Sequence, residues 1–465
     1  MKQADIAIIG AGPGGYVAAL RASQLGAKVI CIEKEWMGGV CLNCGCIPTK
    51  ALLRCAEVFS LAQEAKQFGV MVEGATLDWS QAMTHKKKTV SRMTRGVGML
   101  LEKAGVEVLM GEARFTRANT LTVTGESGEE TVQAEKIIIA TGSRPLIVPI
   151  PGLDGPNVIT SLEALEMETL PKSLCIIGGG AIGLEFASIM NAAGVDVTVV
   201  EMLPTLAPLM DESIGKGLAR AFKRKKIKIM TETRVTGIED TAEGCLVTVE
   251  SADGSETVTA EKVLAAIGRA PNVENLGLEV LGIQPTRKGI QVDDRMRTAV
   301  PGVYAIGDVA LDGPMLAHVA SHQGVVAVED AMGLTASMDY TAVPACIFSQ
   351  PEAAGVGLTE AQAKEQRIAY KVGEFPLSAN GKAVAMGETF GQIKVIAREA
   401  DDAVIGMHIL GPHASDLVLE GTLAIELETT LHEIVHTIHG HPTLGETIAE
   451  AAMAADGLAL HIPKK

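Results

Sequence analysis

One arrangement of residues occurs twice in this chain and restricts its fold more than any other feature. In the first copy, the apolar run of residues 5–9 leads into a glycine-rich turn, a segment able to form a helix, and a β-rich run that ends at Glu33. In the second copy, residues 174–177 lead into a glycine-rich turn and a later β-rich run that ends at Glu201. The acid follows the first glycine of the turn by 23 residues in both copies. This order of elements is typical of dinucleotide-binding units, so we expect two Rossmann-like nucleotide sites in an α/β fold.

The residues of each copy have definite tasks in nucleotide binding. Glycines let the backbone approach a pyrophosphate at a helix N-terminus, and the closing acid accepts hydrogen bonds from ribose hydroxyls. The candidate residues are Gly10, Gly12, Gly14, Gly15 and Glu33 in the first copy, and Gly178, Gly180, Ile182, Gly183 and Glu201 in the second. Both carboxylates would repel a 2′-phosphate, and Met202 follows Glu201 where an arginine would be needed to receive one. The pattern therefore favours FAD and NAD over NADP.

Length and charge narrow the class of protein. A chain of this length is expected to hold about three domains. Forty Lys and Arg residues against 56 Asp and Glu give a formal charge of −16, which disfavours nucleic acid and anionic membrane surfaces as partners. No apolar run is long enough to span a membrane, and the first one is too short for a signal-peptide core. We therefore expect a cytoplasmic protein.

The segment from Gly38 to Lys50 contains three closely spaced cysteines, Cys41, Cys44 and Cys46. Such a cluster in a long chain of this kind indicates redox chemistry or metal binding. In an ideal helix, residues five apart are separated by about 8.6 Å between Cα atoms, beyond the ~7 Å limit for a disulfide, whereas residues three apart are separated by about 5 Å. Helix geometry alone therefore favours Cys41 with Cys44. A zinc site is the other interpretation, but no clear fourth ligand accompanies the three thiols.

The cysteine segment resembles the active-site segment of the pyridine nucleotide-disulfide oxidoreductases, and among them that of the dihydrolipoamide dehydrogenases. The resemblance implies that the redox dithiol is Cys41 with Cys46, in a helix distorted at that point. Cys41 would face the substrate and Cys46 the flavin, and Cys44 would be a bystander or a misoxidation hazard. It also assigns FAD to the first nucleotide copy, which the cysteines follow directly, and NAD to the second.

Two further strand-to-turn segments, at residues 137–140 and 263–267, would close the two nucleotide-binding units. The segment of residues 303–309, a short strand that ends in Gly307 and Asp308, resembles the second flavin segment of the family, whose aspartate bonds the ribityl chain. The resemblance adds to the flavin site Lys34, Gly39, Lys50, Thr141, Gly142, Asp308 and Ala317. It adds to the NAD site Glu185 and Gly268.

The domain organisation follows from the order of these motifs. We expect the NAD domain to be inserted in the FAD domain, and an α+β domain for dimerisation to close the chain. The expected segments are residues 1–148 for the first part of the FAD domain with the dithiol, 149–273 for the NAD domain, 274–340 for the return of the FAD domain and 341–465 for the interface domain.

The sequence His439-Gly440-His441-Pro442-Thr443 in the last segment resembles the catalytic His-Pro-Thr segment of the family, with Glu446 five residues after His441. A proline directly after His441 disfavours a helical conformation there, and a turn can direct the imidazole into a site. We expect His441 to act as the acid and base, with Glu446 orienting and charging it.

The resemblance implies a reaction and a set of partners. The reaction is the FAD-dependent oxidation of protein-bound dihydrolipoyl groups, with reduction of NAD+, through the Cys41–Cys46 disulfide. The family brings its histidine from the other subunit, so a homodimer is expected. The partners would be lipoyl domains and the peripheral subunit-binding domain of a 2-oxoacid dehydrogenase complex, or the lipoyl protein of glycine cleavage.

Three alternatives remain beside this function. Glutathione or trypanothione-type reductases share the cysteines and the histidine, but they should carry arginines after the second acid, near Met202. A mercuric reductase would need a C-terminal cysteine pair, and residues 459–465 contain no cysteine. A non-catalytic flavoprotein scaffold would tolerate the loss of Cys46 or His441, and both are present.

A zinc-protease pattern is also present, His432-Glu433-Ile434-Val435-His436. Spacing i, i+4 places both imidazoles on one face of a helix. Because no third ligand is evident and five residues often match by chance, we expect no zinc-protease site and no resident metal.

Overall fold

The structure is a computed structural model that describes residues 1–311 and 313–463. Within these residues the strands are β1 (Lys2–Ile9), β2 (Val29–Glu33), β3 (Glu107–Met110), β4 (Glu112–Arg117), β5 (Thr120–Gly125), β6 (Gly128–Ile139), β7 (Ser143–Pro145), β8 (Val158–Ile159), β9 (Ser173–Ile177), β10 (Asp196–Val200), β11 (Lys228–Met230), β12 (Arg234–Thr241), β13 (Gly244–Ser251), β14 (Gly254–Ala260), β15 (Lys262–Ala265), β16 (Arg269–Pro271), β17 (Val303–Ala305), β18 (Ala345–Ile347), β19 (Glu352–Gly357), β20 (Tyr370–Pro376), β21 (Gln392–Arg398) and β22 (Val404–Gly411).

The α-helices alternate with these strands over most of the chain and dominate its C-terminal end. They are α1 (Pro13–Gln24), α2 (Gly39–Cys44), α3 (Cys46–Glu64), α4 (Trp79–Lys103), α5 (Ser161–Ala164), α6 (Ala181–Ala192), α7 (Glu212–Arg224), α8 (Ala317–Ala331), α9 (Glu360–Glu365), α10 (Gly381–Met386), α11 (Ala414–Glu426), α12 (Leu431–His436) and α13 (Glu446–Ala455).

The chain divides into two compact units. The first unit comprises residues 1–51, 80–146 and 268–340, and the second comprises residues 52–79, 147–267 and 341–465. The division into four domain segments stays a prediction.

The first unit is built on a sheet whose strand order is β3-β2-β1-β6-β5-β4, with β17 also paired to β6. Strands β1, β2, β3 and β17 run parallel to their neighbours, whereas β4 and β5 form antiparallel pairs that extend from β6. Both faces of the sheet are covered: Ile6 and Ile8 pack on one side with α1 and α8, and Ala7 and Ile9 pack on the other. This explains why the run is continuously apolar instead of alternating.

The second unit contains a parallel sheet of order β11-β10-β9-β15-β8. Its order from β11 to β15 matches the order β3-β2-β1-β6 of the first unit, so the repeat seen in the sequence is also a repeat of structure. A separate antiparallel sheet of three strands, β12-β13-β14, follows β11 and precedes β15 in the chain.

The C-terminal part of the second unit is an antiparallel sheet of order β18-β19-β22-β21-β20. Helices α11, α12 and α13 pack against it through a core that includes Val395, Val418 and Ile448. The predicted fold class is confirmed: two Rossmann-like sheets and an α+β C-terminal part.

A buried ion pair joins β21 of this C-terminal sheet to Asp211, the residue that caps the N-terminus of α7. Lys394 Nζ donates to Asp211 Oδ1 at 2.8 Å, and only 2% of each side chain is exposed. Lys394 also bonds Glu360. Burial alone would raise the pKa of Asp211, but the hydrogen bonds from Lys394 and Ser213 outweigh burial and lower it. The stability gained from this ionised carboxylate is therefore present above the ordinary pKa of aspartate and is lost only as the pH falls through the lowered pKa.

We expect Asp211→Asn to lower the free energy of unfolding by about 3 kcal/mol, because it leaves a buried ammonium without one of its two carboxylates. Asparagine keeps the shape of the side chain and can still cap α7. The matched control is Glu212→Gln, which removes an exposed pair with Lys216 and should change stability by less than about 0.5 kcal/mol. Urea unfolding of the three proteins at neutral pH measures the difference; equal small effects in both variants would show that the buried pair contributes nothing.

Candidate active site

The first glycine turn brings three stretches of backbone together at the end of β1. Gly10 has φ +106°, and a Cβ there would lie 2.3 Å from the Ala140 carbonyl oxygen. A Cβ on Gly15 would lie 1.9 Å from the Gly10 carbonyl oxygen, and one on Gly39 would lie 2.6 Å from the Gly12 Cα. Gly12 is the N-cap residue of α1 and has no side chain, so it offers the first N–H groups of the helix no side-chain acceptor. The turn has the close packing and the free helix end that a pyrophosphate requires.

The second glycine turn repeats this geometry. Gly178 has φ +111°, and a Cβ there would lie 2.4 Å from the Ala266 carbonyl oxygen. A Cβ on Gly183 would lie 2.1 Å from the Gly178 carbonyl oxygen, whereas Gly180, the N-cap residue of α6, has open space where its Cβ would be. The two glycine turns, which have the same spacing to their closing acids, thus also share the same backbone geometry.

The closing acids hold the same position in both copies. Glu33 Oε2 accepts from the Ala11 N–H at 2.7 Å, and Glu201 Oε2 accepts from the Gly179 N–H at 2.6 Å. The second oxygen of each carboxylate accepts from N–H groups just after the strand. Both side chains are buried, and Oε2 of each carboxylate accepts one backbone hydrogen bond, which leaves it a lone pair for a ribose hydroxyl.

The remaining nucleotide candidates have varied surroundings. Lys34 is exposed after β2, Ile182 lies in the first turn of α6, and Gly268 has φ +123° after β15. Glu185 is buried in α6, and its Oε1 accepts from the Phe348 N–H at 3.1 Å. This carboxylate therefore already has a structural partner within the second unit.

The three cysteines lie on either side of a break between two helices. Helix α2 ends at Cys44, Gly45 has φ −145° and ψ −112°, and α3 begins at Cys46. The side chains of Cys41 and Cys46 are hydrogen-bonded across this break. Ideal helix geometry therefore does not apply between them, which removes the reason for preferring Cys41 with Cys44. All eight cysteines are thiols in this structure.

The surroundings of Cys41 act on its protonation in opposite directions. Its hydrogen bond with Cys46 and its burial raise the pKa of Cys41, while the nearby Lys50 ammonium lowers it. Tyr16 is a neighbour that the sequence did not indicate: burial raises its pKa, and the charge of a Cys41 thiolate raises it further. A cation beside Cys41 favours its thiolate form, which is the leaving group of thiol-disulfide exchange.

Asp308 lies in a hydrogen-bonded network of the first unit. The Ser143 hydroxyl donates to Asp308 Oδ2, and Arg269 Nε donates to Ser143 Oγ at 2.7 Å. The buried Gln323 accepts from the Gly307 N–H at 2.7 Å, directly before Asp308. The sequence did not predict that Ser143, Arg269 and Gln323 surround Asp308. The only indication in the sequence was that Ser143 directly follows Gly142, a predicted flavin-site residue.

Thr141 and Gly142 lie in the connection between β6 and β7, in the same unit as Ala317. Thr141 Oγ1 donates to the Asn272 carbonyl oxygen at 2.7 Å, and Gly142 has φ +68°. Ala317 is the first residue of α8. The assignment of these residues to the flavin site stays a prediction.

His441 and Glu446 form a pair in the second unit. His441 Nδ1 lies 2.7 Å from Glu446 Oε1, and the other oxygen, Oε2, accepts from the Thr443 N–H at 2.8 Å. The peptide bond from His441 to Pro442 is cis. The His441 side chain is 77% exposed. Nε2 is thus free to exchange a proton with a substrate when Nδ1–H donates to the carboxylate.

Burial by itself would raise the pKa of Glu446. The Thr443 N–H and His441 outweigh this effect, and the pKa of Glu446 is lowered. A lowered pKa keeps the Glu446 carboxylate ionised even somewhat below the ordinary pKa of glutamate, so its pairing with His441 is lost only on strong acidification.

The glutamate of the zinc-protease pattern, Glu433, caps the N-terminus of α12. The Glu433 carboxylate accepts from the Thr430 N–H at 2.9 Å and bonds the Thr430 hydroxyl, which caps the helix. Across residues 1–311 and 313–463, no group of three or more possible metal ligands is present. The same residues contain no helix that is long and apolar enough to cross a membrane.

Comparisons with known proteins agree with these motifs. The family model described as pyridine nucleotide-disulphide oxidoreductase matches residues 4–324, and the model of its dimerisation domain matches residues 343–452. Dihydrolipoyl dehydrogenases from Rhizobium etli and Bacillus subtilis are each 44% identical to this chain, over 98% of it and 99% of their own length. The crystal structure of LpdA from Mycobacterium tuberculosis superposes with a TM-score of 0.89 at 28% identity, covering 97% of this chain and 99% of that chain.

Proposed function

Since the chain belongs to the pyridine nucleotide-disulphide oxidoreductase family, we propose that it is an FAD-dependent enzyme that oxidises protein-bound dihydrolipoyl groups to lipoyl groups and reduces NAD+. The observation that carries this proposal is the hydrogen-bonded Cys41 and Cys46 pair across the break at Gly45. This dithiol lies in the same compact unit as the first dinucleotide-binding motif, the one assigned to FAD.

The residues of the two glycine turns suit the two nucleotides. FAD would be held by Gly10, Gly12, Gly14, Gly15, Glu33, Lys34, Gly39, Lys50, Thr141, Gly142, Asp308 and Ala317. NAD would be held by Gly178, Gly180, Ile182, Gly183, Glu185, Glu201 and Gly268. When bound, FAD supplies the means of passing an electron pair from a dithiol to NAD+ as hydride.

Side chains of this protein carry out the proton transfer and the thiol-disulfide exchange. His441 Nε2 removes the proton from one substrate thiol while Glu446 holds Nδ1. The substrate thiolate attacks Cys41 Sγ of the Cys41–Cys46 disulfide, and Cys46 leaves as a thiolate. The second substrate thiol loses its proton to solvent, and its thiolate attacks the substrate sulfur joined to Cys41, which closes the lipoyl disulfide. Cys41 leaves as a thiolate beside Lys50, so the substrate is oxidised by two electrons and the enzyme disulfide is reduced by two.

The proposal extends to partners of two kinds. The match of residues 343–452 to a dimerisation domain supports a homodimer, in which His441 of one subunit serves the dithiol of the other. The relatives' activity supports lipoyl domains and a peripheral subunit-binding domain of a 2-oxoacid dehydrogenase core, or a glycine cleavage lipoyl protein, as external partners.

A panel of disulfides tests the substrate class. With NADH as donor, lipoamide should be reduced at least about tenfold faster than glutathione disulfide at equal concentration, because relatives 44% identical to this chain are dihydrolipoyl dehydrogenases. Faster reduction of glutathione disulfide would assign the chain to the glutathione-reductase alternative.

We expect the enzyme to use NAD+ at least about 100-fold more efficiently than NADP+, measured as kcat/KM, because a buried carboxylate faces the ribose. Glu201→Gln should narrow this ratio by about tenfold, since it removes the negative charge and keeps the side-chain shape. The matched control is Glu33→Gln in the other copy, which should leave the NAD+/NADP+ ratio unchanged. An equal change in both variants would contradict the assignment of the second copy to NAD.

We expect Gly45→Ala to reduce lipoamide turnover by about tenfold while FAD stays bound, because small displacements of reacting atoms are costly. A Cβ on Gly45 would lie 2.9 Å from the Val40 carbonyl oxygen and 3.4 Å from the Cys41 Cα, so Cys41 and Cys46 must move relative to each other. Gly96→Ala is the control, because its Cβ meets no atom within 4 Å in α4. Full turnover in Gly45→Ala would mean that the break tolerates a side chain.

A further inference from the structure

His432 and His436 form a pair of exposed imidazoles on α12. They stand four residues apart on one face of the helix, and their ring centroids are 3.8 Å apart with the ring planes tilted by 33°. Both residues are exposed, and neither takes part in the pairs that surround His441. Two imidazoles this close can direct one nitrogen each towards a single cation.

The hydrogen bond of His436 selects the tautomer that a metal requires. His436 Nδ1 lies 2.8 Å from the His432 carbonyl oxygen. A carbonyl oxygen only accepts, so Nδ1 carries the hydrogen and Nε2 keeps its lone pair. Histidine ligands of metals usually donate their second ring N–H to a carbonyl or carboxylate in this way.

The neighbouring side chains are engaged elsewhere. Glu433 is held by the capping interaction with Thr430. His439 has both ring nitrogens occupied, Nδ1 by the Thr437 carbonyl oxygen at 2.9 Å and Nε2 by Glu420 at 2.9 Å. Among residues 1–311 and 313–463 no third protein ligand joins the two histidines, and this arrangement differs from a zinc-protease site.

We propose that His432 and His436 form a two-histidine surface site for a borderline divalent cation, with water completing its coordination. The ligand class is the imidazole-preferring first-row metals, with affinity in the order Cu²⁺ above Ni²⁺ and Zn²⁺. The site revises the expectation, drawn from the sequence, that this stretch holds no metal. It is independent of the lipoyl chemistry, because neither histidine belongs to the dithiol or to the His441 pair.

Ni²⁺ titrated into the purified holoenzyme by calorimetry tests the site, since Ni²⁺ does not oxidise the cysteines as Cu²⁺ would. The expected result is one Ni²⁺ per chain, weakened at least about tenfold in both His432→Gln and His436→Gln, because each variant removes the chelate effect. His85→Gln is the matched control: His85 is an exposed histidine on α4, and its loss should leave the affinity unchanged.

The metal's ligands are identified by a second measurement on the same proteins. The EPR spectrum of one equivalent of Cu²⁺, bound after alkylation of the thiols, should display coupling to two nitrogens in the parent and to one in each variant. Equal Ni²⁺ affinity in the parent and both variants, absence of Ni²⁺ binding, or a Cu²⁺ spectrum that the variants do not alter would each overturn the proposal.

Discussion

Cys41→Ser and Cys46→Ser are each expected to reduce lipoamide turnover by at least about 10³-fold, because residues that act as one catalytic unit cannot be lost singly without losing the unit. A serine hydroxyl forms no disulfide, so the electron pair of the substrate has no sulfur to enter. Steady-state reduction of NAD+ by dihydrolipoamide measures the loss. Both variants should keep bound FAD and should still pass electrons from NADH to an artificial one-electron acceptor.

Cys44→Ser is the matched control for these variants. It removes a thiol from the same segment, yet it leaves the hydrogen-bonded pair of Cys41 and Cys46 intact, so nearly full turnover is expected. Full turnover in Cys46→Ser together with a large loss in Cys44→Ser would mean that the working disulfide is the one favoured by ideal helix geometry.

His441→Gln is expected to reduce lipoamide turnover by about 10²- to 10⁴-fold, the usual contribution of a positioned acid and base. Electron transfer from NADH to an artificial acceptor should be unaffected, because it requires no substrate thiol. Glu446→Gln should give a smaller loss, since the imidazole remains but its Nδ1 partner changes from a carboxylate to an amide. Removal of an exposed histidine elsewhere, His85→Gln, should have no effect on either activity.

Mixed dimers of two inactive variants show whether the cysteines and the histidine of one active site come from the same subunit or from two subunits. If His441 serves the dithiol of the other subunit, a dimer of Cys41→Ser with His441→Gln holds one site with both residues intact. Co-expression of the two variants should then restore about a quarter to a half of the parental rate, depending on the fraction of mixed dimers. No restoration in demonstrated mixed dimers would place the cysteines and the histidine of each site in one subunit.

The nucleotide-binding parts of the fold are predictable from the sequence because their signals are local. Glycines, apolar runs and a closing acid lie within one short stretch, and β2 ends at Glu33 as expected. Helix α1 begins at Pro13, since proline suits the first turn of a helix.

The details of the candidate site are less predictable because they depend on contacts between distant residues. Spacing alone favours Cys41 with Cys44, and only the backbone direction at Gly45 brings Cys46 to Cys41. Gln323 holds the backbone before Asp308 from another element, and no pattern in the sequence indicates that contact. The pairing of His441 with Glu446 was expected because both residues lie in one short segment.

The rate of NAD+ reduction by dihydrolipoamide, with the purified holoenzyme at neutral pH, tests the central claim most directly. We predict turnover in the range of ordinary enzymes, about 1–10³ per second, with one NADH formed for each dihydrolipoamide oxidised. A flavin-containing dimer that reduces NAD+ no faster than the Cys46→Ser variant would contradict the proposed dithiol chemistry.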